Sequence, residues 1–411
     1  MHTGNKAIRV LMVTGNYLPG KNGGIENYTH WLSSLLIKNN YEVEVAALTV
    51  KEADSYNYEG VYIHYLNNSF AAFESVLQDG NFDICHFQEY SEFGGIELPW
   101  FDKAKAYCKK IFFTFHLPYL TCYKGDFRYN GVEDCSTFSE PKRCVSCVIA
   151  DKAGYKKMGS SSLYLSFITA LMNLSGKTAR LEAKITTKYK KLESLVAICD
   201  AIFIYAGWFK NILDHNGFAL GKIKMIPYKT QSIVNHSDIS SNTIKNKILF
   251  VGRIQEQKGL HLLCNAMNKL DAAKGIELDV YGNIIDQDYF DDCVKEYPFN
   301  FKGTLSYREL LKELRNYDFL ILPSVFTEMF SLIIKDSFYE KLPVIGSSAK
   351  GNKDAIEDGK NGFLFEYDNA KDLAGTIDKA YHLKLNGWEP EFKKNGNPEK
   401  DIEEMLSYYV V

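Results

Sequence analysis

Short apolar runs, bounded by glycine, proline and small polar residues, recur along the chain and alternate with longer segments of helical period. The first run covers residues 7–13, a loop with four glycines covers 15–24, and a helical pattern covers 25–37 before the next run at 43–48. Strand, helix and strand in that order predict parallel pairing through a crossover helix. Further strands are predicted at 61–66, 83–87, 110–115, 201–205 and 223–227. A stretch rich in Ser, Asn and Thr, 228–246, reads as a linker. Beyond it, strands at 248–252, 276–281, 299–301, 319–322 and 343–345 alternate with helices near 258–270, 286–296, 306–316 and 330–341. The pattern predicts an α/β fold with two doubly wound, Rossmann-like domains, over 1–228 and 229–388. A polar tail, 389–411, ends in a short helix at 402–409.

A chain of 411 residues has room for two such domains. No apolar stretch reaches the eighteen or so residues a spanning helix needs, and the first run is too short for a secretion signal. The expectation is a cytoplasmic protein whose nine cysteines are mostly reduced thiols. Residues 1–228 hold 25 Lys and Arg against 22 Asp and Glu, and residues 229–411 hold 23 against 29. That mild asymmetry leans the first domain towards an anionic partner or surface but supports no nucleic-acid role.

Candidate chemistry concentrates in the second half. The stretch 319–346 reads strand, turn, helix, strand, with Glu328 at the mouth of the helix and Asp336 about two turns up. A helix start leaves backbone N–H groups unpaired, here those of Phe330, Ser331 and Leu332, and with the helix dipole they seat an anion such as phosphate. A carboxylate beside a phosphate seat is suited to accepting hydrogen bonds from sugar hydroxyls. Upstream, FVGRIQEQKGL places Arg253 and Lys258 on a loop after a strand, two cations that suit a diphosphate. Asp286 and Asp288 open a helix, where Asp is common as a cap, and read as caps rather than metal ligands.

An insertion at 119–162 carries Cys122, Cys135, Cys144 and Cys147, the last two as CxxC. Few large apolar residues accompany them, so the segment needs a staple; the spacing suits structural zinc, with disulfides or free thiols as the alternatives. Next comes the apolar stretch 163–174 and then the cation-rich stretch 177–191, a pair that could lie on an anionic membrane or could be a buried helix followed by a solvated one.

Gly252-Arg253…Lys258-Gly259, taken with Pro323-Ser324…Glu328-x-Phe330-Ser331…Asp336…Pro343-Val344-Ile345, resembles the two motifs of the family 4 glycosyltransferases, retaining enzymes of GT-B fold. Two positions depart from the family pattern: Ser331 stands where the family has Gly, and Asp336 where it has a second Glu. The resemblance implies a GT-B architecture of two Rossmann-like domains facing a cleft, the first binding the acceptor and the second the nucleotide sugar, with the tail crossing back to the first. It implies transfer of a sugar from a UDP- or GDP-sugar to a glycan or lipid-linked acceptor, with retention and without a catalytic metal. By the same resemblance Gly23 and Gly24 face the donor, His116 reaches the donor sugar, and Arg253 and Lys258 stabilise the leaving diphosphate. Glu328 positions the sugar, Asp336 holds the ribose, and the base sits near 302–305. A subset of the family is similar in carrying a four-cysteine insertion. A sugar-nucleotide epimerase of the same fold and a non-catalytic nucleotide-sugar-binding subunit stay open as rival readings.

Overall fold

Each half of the chain builds a largely parallel sheet whose central strands are apolar and buried, as expected where helices cover both faces. The computed structural model describes residues 7–21, 23–49, 55–91, 95–131, 133–152, 170, 176–218, 221–226, 244–271, 275–329, 331–392 and 398–411. The chain divides into two units, Met1–Pro227 with Asn397–Val411, and Tyr228–Gly396.

In the first unit, strands β1 (Arg9–Asn16), β2 (Glu42–Thr49), β3 (Tyr56–Tyr58), β4 (Val61–Tyr65), β5 (Ile84–Phe87), β6 (Lys110–Thr114), β9 (Ala201–Ile204) and β10 (Ile223–Met225) form one sheet, while β7 (Arg128–Tyr129) and β8 (Glu133–Asp134) make a small separate hairpin. The order is β10-β9-β6-β5-β1-β2-β4-β3, parallel throughout except that β3 runs antiparallel to β4 at the edge. The sequence reading did not contain β3; three residues are too few to show a period. Helices α1 (Gly24–Lys38), α2 (Phe70–Gly80), α3 (Leu98–Tyr107), α4 (Pro141–Lys152), α5 (Lys177–Ile198) and α6 (Gly207–His215) complete the main part of the unit. Ser69 caps α2 through its side chain, and Asn81 ends it in the left-handed region.

In the second unit, strands β11 (Lys247–Val251), β12 (Glu277–Tyr281), β13 (Asn300–Phe301), β14 (Phe319–Leu322), β15 (Val344–Ser347) and β16 (Gly362–Phe365) give the all-parallel order β13-β12-β11-β14-β15-β16. The helices are α7 (Leu260–Met267), α8 (Gln287–Glu296), α9 (Tyr307–Glu313), α10 (Leu332–Tyr339), α11 (Lys350–Ala355) and α12 (Ala370–Leu385). Asp286 caps α8, accepting from the Tyr289 N–H at 3.0 Å, the role its sequence position implied. The unit runs past residue 388, where the sequence reading ended it. Trp388 packs on Phe319 and Phe363 and donates to the Gly359 carbonyl, and Phe392 packs on Phe338, so the first residues of the polar stretch are tied to the second core. The last helix, α13 (Pro398–Ser407), and the residues after it belong to the first unit. No helix among the described residues is long and apolar enough to cross a membrane, and the stretch 163–174 lies outside them.

Candidate active site

In parallel α/β sheets the loops at the C-terminal ends of the strands carry the chemistry. In the second unit three such loops meet backbone to backbone. The β11–α7 loop lies against the β14–α10 loop, with Val325 N–H donating to the Gln257 carbonyl at 3.0 Å. Gly259 allows this contact: its φ is +73°, and a Cβ there would stand 2.0 Å from the Pro323 carbonyl oxygen. The third loop follows β15, where a Cβ on Gly351 would meet the Glu328 carbonyl oxygen at 2.1 Å.

This packing brings Lys258 and Glu328, seventy residues apart in sequence, into an ion pair with Nζ 2.5 Å from Oε1. The same Oε1 accepts from Ser324 Oγ at 3.1 Å. Arg253 sits on the same loop as Lys258, exposed and without an ion pair among the described residues. The loop therefore carries one cation balanced by a carboxylate and one that is not. Helix α10 starts beside Glu328; its N-cap, Ser331, makes no side-chain bond to the first amides, and Leu332 is its first residue. Phe330 lies outside the described residues. Asp336 lies inside α10, buried, and accepts from the Tyr307 hydroxyl at 2.9 Å. The structure thus joins Lys258 to Glu328 and ties Asp336 to Tyr307, a partner not foreseen from sequence.

In the first unit, β1 delivers the glycine-rich loop to the start of α1. Gly23 is the N-cap and Gly24 the first helical residue, with no side-chain cap. Two carboxylates close in on this loop. Glu89, just after β5, accepts from the Gly15 N–H at 2.7 Å, and a Cβ on Gly15 would stand 2.1 Å from its Oε2. Glu26 is buried in α1, 3.4 Å from Lys21 Nζ, and a Cβ on Gly23 would meet its Oε2 at 2.5 Å. Burial and the charge of Glu26 push the Glu89 carboxyl up. The sequence reading missed Glu26, whose place in the first turn looks like ordinary dipole compensation. His116 stands just beyond β6, its Nε2 3.1 Å from Gln88 Oε1 and its ring against Tyr28 and Tyr205. Burial lowers it to about 3, so it is neutral at pH 7 and offers hydrogen bonds rather than charge. Neutral imidazole, amide and carboxylates set around bare backbone suit the hydroxyls of a sugar.

The cysteine-rich insertion docks on the same unit. Asn216, at the end of α6, accepts at one oxygen from Thr137 Oγ1 and from the Phe138 and Ser139 N–H groups, and donates to the Ser136 carbonyl. Phe127 is fully buried against Phe138, Trp208 and Phe209. Burial and the neighbouring Cys122, Cys135 and Cys147 push the Cys144 thiol up to about 12. The four sulfurs are thus neighbours, yet no set of three or more His, Cys, Asp or Glu among the described residues stands in metal-holding array. Their hydrogen bonds go elsewhere: Cys135 Sγ donates to the Thr137 carbonyl, and the Asn130 N–H donates to Cys147 Sγ.

Two doubly wound parallel domains, the second with an ion-paired lysine and glutamate on interleaved strand-end loops, make a GT-B architecture. Residues 233–397 match the glycosyl transferases group 1 family, and the chain is a transferase enzyme. It is 23% identical, over 98% of its length and 95% of the other, to an uncharacterized glycosyltransferase of Methanocaldococcus jannaschii. Over 144 residues it is 31% identical to the sulfoquinovosyl transferase SQD2 of Arabidopsis thaliana, covering 34% of this chain and 27% of that one. Among solved structures, sucrose-phosphate synthase from Thermosynechococcus elongatus superposes with a TM-score of 0.65 at 15% identity, over 98% of both chains. Anabaena HepE in complex with UDP and glucose gives 0.61 at 12% identity, over 98% of this chain and 99% of that one.

Proposed function

We propose that this enzyme moves a sugar from a nucleotide-sugar donor, a UDP- or GDP-sugar, to a glycan or lipid-linked acceptor, with retention, in the synthesis of a cell-surface polysaccharide or glycoconjugate. The observation that carries the reading is the loop pair that sets Lys258 against Glu328, with Arg253 exposed on the same loop and without an ion pair among the described residues. Cleavage of the glycosidic bond leaves charge growing on the diphosphate. Fixed cations that favour this charge more than they favour bound donor speed the step, and no divalent ion is needed. Glu328 accepts from the donor sugar's hydroxyls. His116 donates to the sugar, and Gly23 and Gly24 let backbone approach it. Asp336 serves the ribose. The acceptor meets Gln88, Glu89 and Glu26.

The test is Arg253→Ala and Lys258→Ala, assayed with a panel of UDP- and GDP-sugars in EDTA. Each should lose roughly a hundredfold in kcat, about 3 kcal/mol of transition-state stabilisation, with smaller changes in donor affinity. Arg253→Lys should recover only part, because an ammonium cannot copy the guanidinium fork. Near-normal turnover in either folded alanine variant removes the leaving-group assignment. Conversion of the donor with no acceptor present marks an epimerase instead, and tight donor binding without turnover a binding subunit.

The insertion holds one structural zinc through Cys122, Cys135, Cys144 and Cys147. The Cys144 thiol, raised by burial and by the neighbouring Cys122, Cys135 and Cys147, supports this, as do backbone N–H groups of Gly125, Asp126 and Phe127 directed at Cys122, which offset part of the rise that burial and Asp126 cause there. Elemental analysis of protein purified without added zinc should give about one equivalent per chain, lost in Cys144→Ser together with stability. Four free thiols and no metal refute the site. Exposed Lys177, Arg180, Lys184 and Lys190 on α5 give the first unit a cationic flank suited to peripheral contact with an anionic membrane.

A further inference from the structure

Glu328 is held from behind by a chain of buried hydrogen bonds that starts two loops away. Asn352, on α11, is fully buried and donates from Nδ2 to the Ser347 carbonyl at 3.0 Å and to Ser347 Oγ at 3.2 Å. Ser347, the last residue of β15 and also fully buried, donates from Oγ to the Ser324 carbonyl at 2.8 Å. Ser324 in turn donates from Oγ to Glu328 Oε1 at 3.1 Å. The Glu328 backbone is fixed as well, since its carbonyl is pressed against Gly351, the residue before Asn352.

The carboxylate is used unevenly as a result. Oε1 takes both Ser324 and Lys258, whereas Oε2 has no partner among the described residues and is not buried. A carboxylate on a free rotamer would share its oxygens between the cation and water. Here one oxygen is spent on orientation and the other is left without a partner among the described residues.

We propose that Ser347 and Asn352 are positioning residues, which act through Ser324 to hold Glu328 with Oε2 presented to a donor hydroxyl. The inference rests on the reading of Glu328 as a donor-sugar contact. Asn352, Ser347 and Ser324 are all buried, which holds the chain in place; its loss lets the Pro323–Glu328 loop shift. Misplacement on the ångström scale at a reacting centre costs up to roughly a hundredfold in rate.

The experiment is a double-mutant cycle on turnover, using the full-length enzyme and whichever nucleotide sugar it accepts. Ser347→Ala and Ser324→Ala should each lower kcat about tenfold, with donor KM changed less than about threefold. Made in a Glu328→Gln background, both should have little further effect on the residual rate, because the group they position is already gone. Thermal melts separate folding from positioning: any loss of stability from Ser347→Ala should be the same in both backgrounds. Ser324→Ala keeps the test alive should Ser347→Ala fold poorly, as it removes one hydroxyl from a loop. Unchanged kcat in Ser347→Ala and Ser324→Ala, or an equal loss with Glu and with Gln at 328, overturns the positioning role alone. Normal turnover in Glu328→Gln overturns the parent reading of Glu328 and this inference with it.

Discussion

Two histidines at the heart of the first unit, His86 and His116, are kept neutral by burial, each lowered to about 3. The unfolded chain would protonate them in the ordinary range near 6.5, so below that pH the unfolded state binds more protons and the fold loses stability. The loss is about 1.4 kcal/mol per pH unit for each histidine, continuing down towards pH 3. Glu89, raised by burial and Glu26, works in the opposite direction as pH falls towards the ordinary carboxylate range, and offsets part of it. Urea titrations of the wild type at pH 7, 6 and 5 should therefore show falling stability, and His116→Gln should flatten that slope. A wild-type stability independent of pH over this range refutes the buried, neutral state. At this scale motif spacing and the family resemblance singled out Arg253, Lys258 and Glu328 as candidates, and the fold brings two of them, Lys258 and Glu328, into contact. The Tyr307–Asp336 bond and the Asn352–Ser347–Ser324 chain were not recognisable from sequence, because a partner chosen by the fold leaves no interval to read.

At the scale of elements, glycines decide how closely the loops can approach. Gly259 combines a left-handed backbone with contact to the Pro323 carbonyl, so Gly259→Ala must either shift α7 or push away the loop that carries Ser324 and Glu328. The left-handed conformation alone costs about 1–2 kcal/mol for an L-residue, and the carbonyl clash adds to it. Turnover should fall with stability, because Lys258 and Glu328 lie on the two loops being separated. Gly375 is the control: it is exposed inside α12 with open space around it, so Gly375→Ala should stabilise by about 0.5–1 kcal/mol and leave activity alone. Comparing melting temperatures and kcat for the two variants checks both; a Gly259→Ala enzyme as stable and active as wild type removes the close-approach account. Long periodic elements were legible here, including the βαβ opening and the strand–helix alternation of the second half. Elements outside the expectation include β3, an edge strand of three residues, the helices α2, α3, α4 and α6 and the hairpin β7–β8 of the first unit, and β16 with its flanking helices α11 and α12, whose apolar positions are interrupted by glycines and charges.

For the whole molecule, the decisive segment is the last one, because a unit that begins at the N-terminus is completed only by the C-terminus. Tyr409 is fully buried among Phe112, Phe203 and Tyr41, and its hydroxyl lies 2.6 Å from His86 Nδ1, whose Nε2 lies 2.8 Å from Thr114 Oγ1. Lys110 Nζ holds the carbonyls of Tyr408 and Val410. From sequence this tail was a polar stretch with a short helix, and only the family resemblance pointed to its return; a single tyrosine at residue 409 carries no pattern that names its pocket. Removing residues 398–411 should leave an aromatic-sized cavity and an unpaired histidine, costing about 3–5 kcal/mol for the lost ring and about 1–3 kcal/mol more for the orphaned nitrogen. Tyr409→Phe keeps the ring and should show only the second loss, while removal of Val411, which is exposed, should be nearly silent. Because the tail serves the first unit, the truncated protein should unfold in two steps, with the first-unit transition moved to lower urea and the second-unit transition unmoved. A truncation that leaves both transitions in place would mean the tail decorates the surface instead of completing the core.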